Sequence, residues 1–201
     1  MKLQSPFEVV TPTADGEVLT ALVRRGDWMS ISQVVELVGS RSDEGVRRVI
    51  RRLVNQGIVD ELPVGGRSVF RLNPHHILAP AITSIARARE TLLTLLTGRL
   101  ANWNSPPLYA ALFGSGARGT MTSTSDLDLL LVQPHATDEV WDVDVAELVV
   151  DVRSWTGNDL RVVQYTEHEV GPTDALLAEL INDAIPLLGD HSWFRQQIGQ
   201  K

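Results

Sequence analysis

The chain has 201 residues, 43% apolar and 21% charged, enough for one medium domain or two small ones with a real core, which excludes disorder over most of its length. It contains no cysteine, which excludes disulfides, thiolate catalysis and cysteine-ligated zinc. No stretch approaches the ~20 uninterrupted apolar residues of a bilayer span, and the first residues lack the apolar core of a signal peptide, so a soluble cytoplasmic protein with no membrane partner is expected.

The net charge of −7 is unevenly spread. Residues 1–75 sum to about +1 and residues 76–201 to −8, and all but two of the basic residues are arginine. A near-neutral front and an acidic back suggest two domains with different partners.

In chain order, Glu17 to Arg25 has helical spacing, with Val18, Leu19, Leu22 and Val23 on one side. Gly26-Asp27 ends it. Ser30 opens a second helix, and Gln33 three residues later completes a capping box. Gly39 stops that helix. A third starts near Ser42, with Asp43 and Glu44 in its first turn, where the helix dipole favours anions. Val46, Val49, Ile50 and Leu53 are its apolar positions, so Arg47, Arg48, Arg51 and Arg52 fall on its outward face. Two short apolar runs, 58–64 and 67–72, flank Gly65-Gly66 and read as a β-hairpin.

The segment SISQVVELVGSRSDEGVRRVIRRLVNQGIVDE, with the hairpin after it, resembles the winged helix-turn-helix domains of bacterial regulators over about residues 15–72. The resemblance implies that the third helix enters the major groove of double-stranded DNA and that the wing, with Arg67, follows the backbone. Arg41, Arg47, Arg48, Arg51, Arg52 and Arg67 are the candidate DNA contacts, chiefly to phosphates. Arginines on an exposed helix face also occur simply as a solvated surface, and a winged helix also serves as a protein-interaction module.

Residues 76–104 are expected to form one linker helix, with Pro80 in its first turn and an apolar stripe from Ile77 to Leu100 that packs on the back domain, joins two protomers into a homodimer, or both. His75-His76 looks like a metal pair, but adjacent helical residues do not face one point, so a helix start is the plainer reading.

Next comes the string LFGSGARGTMTSTSDLDLLLV: a buried strand, a Gly114-Ser115 turn, a short helix, and a second strand opening on Asp126 and Asp128. Side chains two apart on a strand share a face, so both carboxylates point one way while Leu127 and Leu129 enter the core. Such a pair suits Mg²⁺, and a turn without bulky side chains lets phosphate oxygens reach backbone N–H groups. Residues 139–156 read as a helix, whose acids Asp142, Asp144, Glu147 and Asp151 resemble a metal cluster but are more simply its wet face. A third strand follows at 160–165. A final helix is expected over 173–188, with Leu176, Leu177, Leu180, Ile181 and Ile185 inward.

Gly-Ser, ten residues, then Asp-x-Asp, with Ala-Arg-Gly after the turn, resembles the nucleotidyltransferase superfamily in its minimal form, over about residues 108–165. The whole chain is thus expected to be an α/β (α+β) nucleotidyltransferase fold, 105–201, preceded by a winged helix-turn-helix domain, 1–75, and a linker helix, 76–104. The resemblance implies transfer of a nucleoside monophosphate from an NTP to an acceptor, with Mg²⁺ or Mn²⁺ on catalytic Asp126 and Asp128. It implies that Gly114, Ser115, Arg118 and Ser125 hold the nucleotide. Active members place a third carboxylate in the middle of the third strand. Here that position falls at or near Arg161, and Asp159 is the possible third acid. Two functions stay open: an enzyme, or a DNA-binding regulator whose back domain binds nucleotide or a partner protein, antitoxin-like, without catalysis.

Overall fold

Glycine and serine punctuate the first 75 residues where the chain must turn. The computed structural model describes every residue except 40, 135–138, 173, 175, 176, 178, 179, 181, 182, 200 and 201. Helix α1 spans Ala14–Arg25 and ends on Gly26 in the left-handed conformation. Strand β1 (Met29–Ser30) leads into α2 (Ile31–Val38), whose capping box forms as expected: Gln33 N donates to Ser30 Oγ, and Ser30 N donates to Gln33 Oε1 at 2.8 Å. Helix α3 spans Asp43–Asn55, with Gly45 N donating to the Ser42 hydroxyl at 3.2 Å. Each such cap is worth about 1 kcal/mol.

Strands β2 (Val59–Val64) and β3 (Arg67–Leu72) form an antiparallel hairpin around Gly65-Gly66, both at positive φ, as a two-residue primed turn requires. The two-residue β1, too short to show any alternation in sequence, adds to the far edge of β3, giving the order β1-β3-β2. Val18, Leu22, Val46, Ile50, Leu53 and Phe70 lie in one buried cluster between the helices and this sheet.

The single helix expected over 76–104 is two helices. Helix α4 (Ala79–Ala86) carries Pro80 in its first turn, and α5 runs Ala88–Ala101, with a break at Arg87. The apolar stripe is continuous because it serves two cores. Ile82 and Ala86 pack with the residues of α1 and α3, whereas Leu92, Leu96 and Leu100 pack with later residues. The chain accordingly divides into two compact units, a front unit of Ser5–Arg89 and a back unit of Met1–Gln4 with Glu90–Lys201.

The back unit is built on β4 (Tyr109–Phe113), β5 (Leu127–Gln133), β6 (Leu160–Thr166) and β7 (Ile185–Gly189), in the order β6-β5-β4-β7. Only β5 and β6 are parallel, joined by the crossover helix α7 (Glu139–Thr156). Helix α6 (Gly114–Arg118) links β4 to β5, and α8 (His191–Gln197) follows β7. Both faces of the sheet are covered, which is why β5 reads as an unbroken apolar run. Leu112, Leu127, Leu129 and Leu131 pack with α5 and α7 on one face. Tyr109, Phe113, Leu130 and Val132 pack with Leu177, Leu180 and Phe194 on the other.

The helix expected over 173–188 does not reach 188. Residues 185–189 form β7, and Ile185 pairs with Leu112 on β4 instead of sitting on a helix. The run Ile-Pro-Leu-Leu is too short to separate a strand from a helix by periodicity. Leu177 and Leu180 are buried, and Leu176 and Ile181 lie outside the described residues. Leu3 belongs to this core and is fully buried, although it precedes the front unit in sequence.

Candidate functional site

The site is assembled at the ends of β4, β5 and β6. Asp128 stands opposite Phe113 in the β4–β5 pairing, so the chain turns at Gly114 directly beside its carboxylate. Gly114 has φ of +66°, and a Cβ there would overlap Asp128 Oδ2. Glycine is therefore required twice over, by backbone conformation and by space. Gly116 sits against Leu127, where a Cβ would come within 3.1 Å of Cδ2, which presses α6 onto β5. Ser115 stands in the first turn of α6, and Gly119 closes that helix in the left-handed conformation.

The strand opens at Leu127, one residue later than expected, so Asp128 falls on the β5 face of Leu130 and Val132 while Asp126 immediately precedes the strand. Arg161 on β6 is in parallel register with Asp128, and its Nη2 lies 3.8 Å from Asp126 Oδ2. Burial pushes the Asp128 carboxyl above its ordinary value, Arg161 pulls it down, Asp126 pushes it up, and Arg118 pulls it down. Desolvation is the largest cause of the rise, and repulsion by Asp126 is secondary.

Arg118 Nη1 is 3.6 Å from Asp183 Oδ2 and acts on Asp128 through space. Ser125 does not point a free hydroxyl outward: Thr122 N donates to its Oγ at 2.9 Å, closing the turn that leads into Asp126. Asp159 is ion-paired with Arg153 of α7. It is not one of the charges that shift Asp128, which are Arg161, Asp126 and Arg118. Among the described residues no group of three metal-ligating side chains forms.

Two residues that support the site carried no signal in the sequence. Asn158 is buried, and its Nδ2 donates to Ser125 O at 2.8 Å, tying the β6 entry to the residue before Asp126. Gln4 Nε2 donates to Met121 O at 2.8 Å, holding the other end of the 121–125 loop. A lone amide has no motif around it, and only the fold brings these partners together. The acids of α7 have a structural use: Arg99 of α5 donates to Glu147 at 2.6 Å and Asp151 at 3.0 Å, with Asp144 at 4.0 Å.

In the front unit the six candidate arginines separate. Arg41 is held by Glu17, its Nη2 2.9 Å from Oε1, which raises the guanidinium's pKa further. Arg52 is paired with Asp15 and donates to Gln56 Oε1 at 3.0 Å. Arg47, Arg48, Arg51 and Arg67 are exposed, and none has a carboxylate partner among the described residues. Arg47, Arg51 and Arg67 border one cleft of about 500 Å³.

Among the described residues no helix is long and apolar enough to cross a membrane. No curated protein matches the chain. A toxin-antitoxin crystal structure with AMP-PNP is similar at 18% identity, over 53% of this chain and 80% of that one, with a TM-score of 0.41. A mutant of the MntA-HpeT toxin-antitoxin is similar at 15% identity, over the same shares, also with a TM-score of 0.41. The family model described as nucleotidyltransferase domain matches residues 99–189, from the end of α5 through β7, and so takes in the Gly114 turn, both aspartates and Arg161.

Proposed function

We propose that the back unit binds a nucleoside triphosphate with Mg²⁺ or Mn²⁺ and transfers its nucleoside monophosphate to an acceptor hydroxyl, the hydroxyl oxygen bonding the α-phosphorus as the α–β anhydride breaks and pyrophosphate leaves. The observation that carries this reading is the seat of the Asp128 carboxylate against Gly114, where a side chain would block the approach of a ligand to both. The donor set fits the ion: Mg²⁺ takes one or two protein carboxylates with the remaining positions filled by phosphate oxygens and water. When bound there, the ion supplies charge neutralisation for the triphosphate. Asp126 and Asp128 would hold it. Gly114 and Ser115 present backbone N–H groups and a hydroxyl to the phosphates, and Arg118 offsets their charge.

Arg161 favours a second reading, in which nucleotide binds without turnover. A guanidinium neither accepts a proton nor ligates a metal, so the strand position beside Asp128 offers no base. Asp159, the nearest acid, is neutralised by Arg153. Binding survives in both readings, and transfer is slow or absent in the second. The front unit binds duplex DNA as a winged helix-turn-helix, with α3 in the major groove and the β2–β3 hairpin along the backbone. The exposed, carboxylate-free Arg47, Arg48, Arg51 and Arg67 support this.

The experiment is a melting curve with and without Mg²⁺ and each of ATP, GTP, CTP and UTP. A ligand at 100 times its Kd adds about 2.7 kcal/mol to stability, visible as a rise in Tm. The rise is expected with metal and nucleotide together and is lost in the Asp126→Asn, Asp128→Asn double variant. An equal rise in the double variant refutes the site.

A further inference from the structure

The cleft in the front unit has a composition that duplex DNA does not call for. Its lining includes the exposed Arg47 and Arg51 from α3 and Arg67 from β3. Ser32 and Ser68 add hydroxyls to the lining. Its floor is apolar, made by Ile50, Val54 and Phe70, and its volume is about 500 Å³. That volume is in the range of pockets that enclose small ligands, about 300–1,000 Å³. A sugar-phosphate backbone lying on a surface needs the cations but has nothing to place on a concave apolar floor. Glu61, also on the rim, would repel a strand of phosphates, yet it can accept a hydrogen bond from an amino or imino group of a small ligand.

Three cations, an apolar floor and one acceptor describe a molecule with an anionic end, a flat apolar body and a polar N–H edge. We infer that this cleft binds a nucleoside monophosphate, its phosphate among Arg47, Arg51 and Arg67 and its base over Ile50 and Phe70. Arg47 and Arg51 are one helical turn apart on α3 and Arg67 comes from the hairpin, and all three line the same cleft, within which a phosphate could take more than one of them. Occupancy covers arginines that the DNA reading uses, so ligand and duplex compete. The cleft belongs wholly to the front unit, and the inference does not depend on nucleotide binding by Asp126 and Asp128.

The test is calorimetric titration of the full chain with AMP, GMP, CMP and UMP in EDTA, where no divalent ion can recruit phosphate to the back unit. Saturable binding is expected for at least one of the four, weakened about tenfold or more by Arg51→Ala and by Arg67→Ala and unchanged by Arg24→Ala, an exposed arginine outside the cleft. The matching nucleoside and inorganic phosphate should each bind more weakly than the nucleotide. Absence of saturable binding up to about 1 mM for all four overturns the inference. So does binding indifferent to Arg51→Ala and Arg67→Ala, and so does inorganic phosphate binding as tightly as the nucleotide, since the apolar floor would then be unused.

Discussion

Arg161 Nη2 lies 3.8 Å from Asp126 Oδ2, and the Arg161 backbone runs in register beside Asp128. A positive charge thus lies beside both carboxylates; on the proposed function it stands where a third acid would act as base. It offsets part of the negative charge of the pair, lowering the Asp128 carboxyl that burial and Asp126 raise.

Replacing Arg161 by Asp should therefore raise transfer from labelled NTP above the wild-type level. A well-placed general base contributes about 10²–10⁴-fold, so even a partly aligned carboxylate should be visible. The readout is radiolabel carried to protein or nucleic acid. Strong wild-type transfer that persists in Asp159→Asn would contradict an inhibitory Arg161.

The Asp128 carboxyl is raised by burial, so its ionised form is disfavoured in the folded, metal-free protein. The folded state then holds that proton more tightly than the unfolded chain. Stability contributed by Asp128 is lost as pH rises from the ordinary carboxylate range through its raised value. Asp128→Asn should raise Tm at pH 7 without metal, and the gain should vanish well below pH 4, where both states are protonated. Thermal melts across pH in EDTA measure this, and a variant less stable than wild type at pH 7 would show that the carboxylate is not under strain.

Arg41 and Arg52 are already neutralised by Glu17 and Asp15, whereas Arg47, Arg48, Arg51 and Arg67 are not. Duplex binding should accordingly be weakened tenfold or more by the Arg48→Ala, Arg51→Ala double variant, with a shallower salt dependence by about one phosphate per arginine lost. Arg41→Ala should change affinity little. Fluorescence anisotropy on a mixed-sequence duplex at several salt concentrations is the measurement. Salt-independent binding, or none, would assign the front unit to protein recognition.

Leu3 is fully buried against residues of α5 and β5 in the back unit. Leu3→Ala should cost about 2–5 kcal/mol in that unit. Urea unfolding followed by tryptophan emission reports it, since Trp103 and Trp141 pack edge to face at 5.1 Å in the same core. A fragment beginning at residue 76 lacks Leu3 and should unfold at lower urea. Equal midpoints would mean that residues 1–4 add nothing to the fold.

Local signals decided much of this molecule. Caps at Ser30 and Ser42, glycines at 26, 39 and 65–66, and the alternation around Asp126 and Asp128 act within a few residues, through hydrogen bonds and backbone preference. The helices α1 to α3, the β2–β3 hairpin and the turn that brings Gly114 beside Asp128 were legible for that reason. What needed the tertiary structure is everything that depends on which distant segment arrives at a given surface. The apolar run of residues 76–104 looks like one helix because periodicity does not record that its two halves face different cores. β1 is too short to show a pattern, and β7 is a strand because β4 offers it an open edge. Arg41 and Arg52 look free in sequence, but their carboxylates sit 24 and 37 positions away. Leu3, Gln4 and Asn158 have no motif around them. Leu3 is buried and Gln4 bonds Met121 O because the folded chain returns its first four residues to the back unit, and Asn158 reaches Ser125 O because β6 runs beside β5.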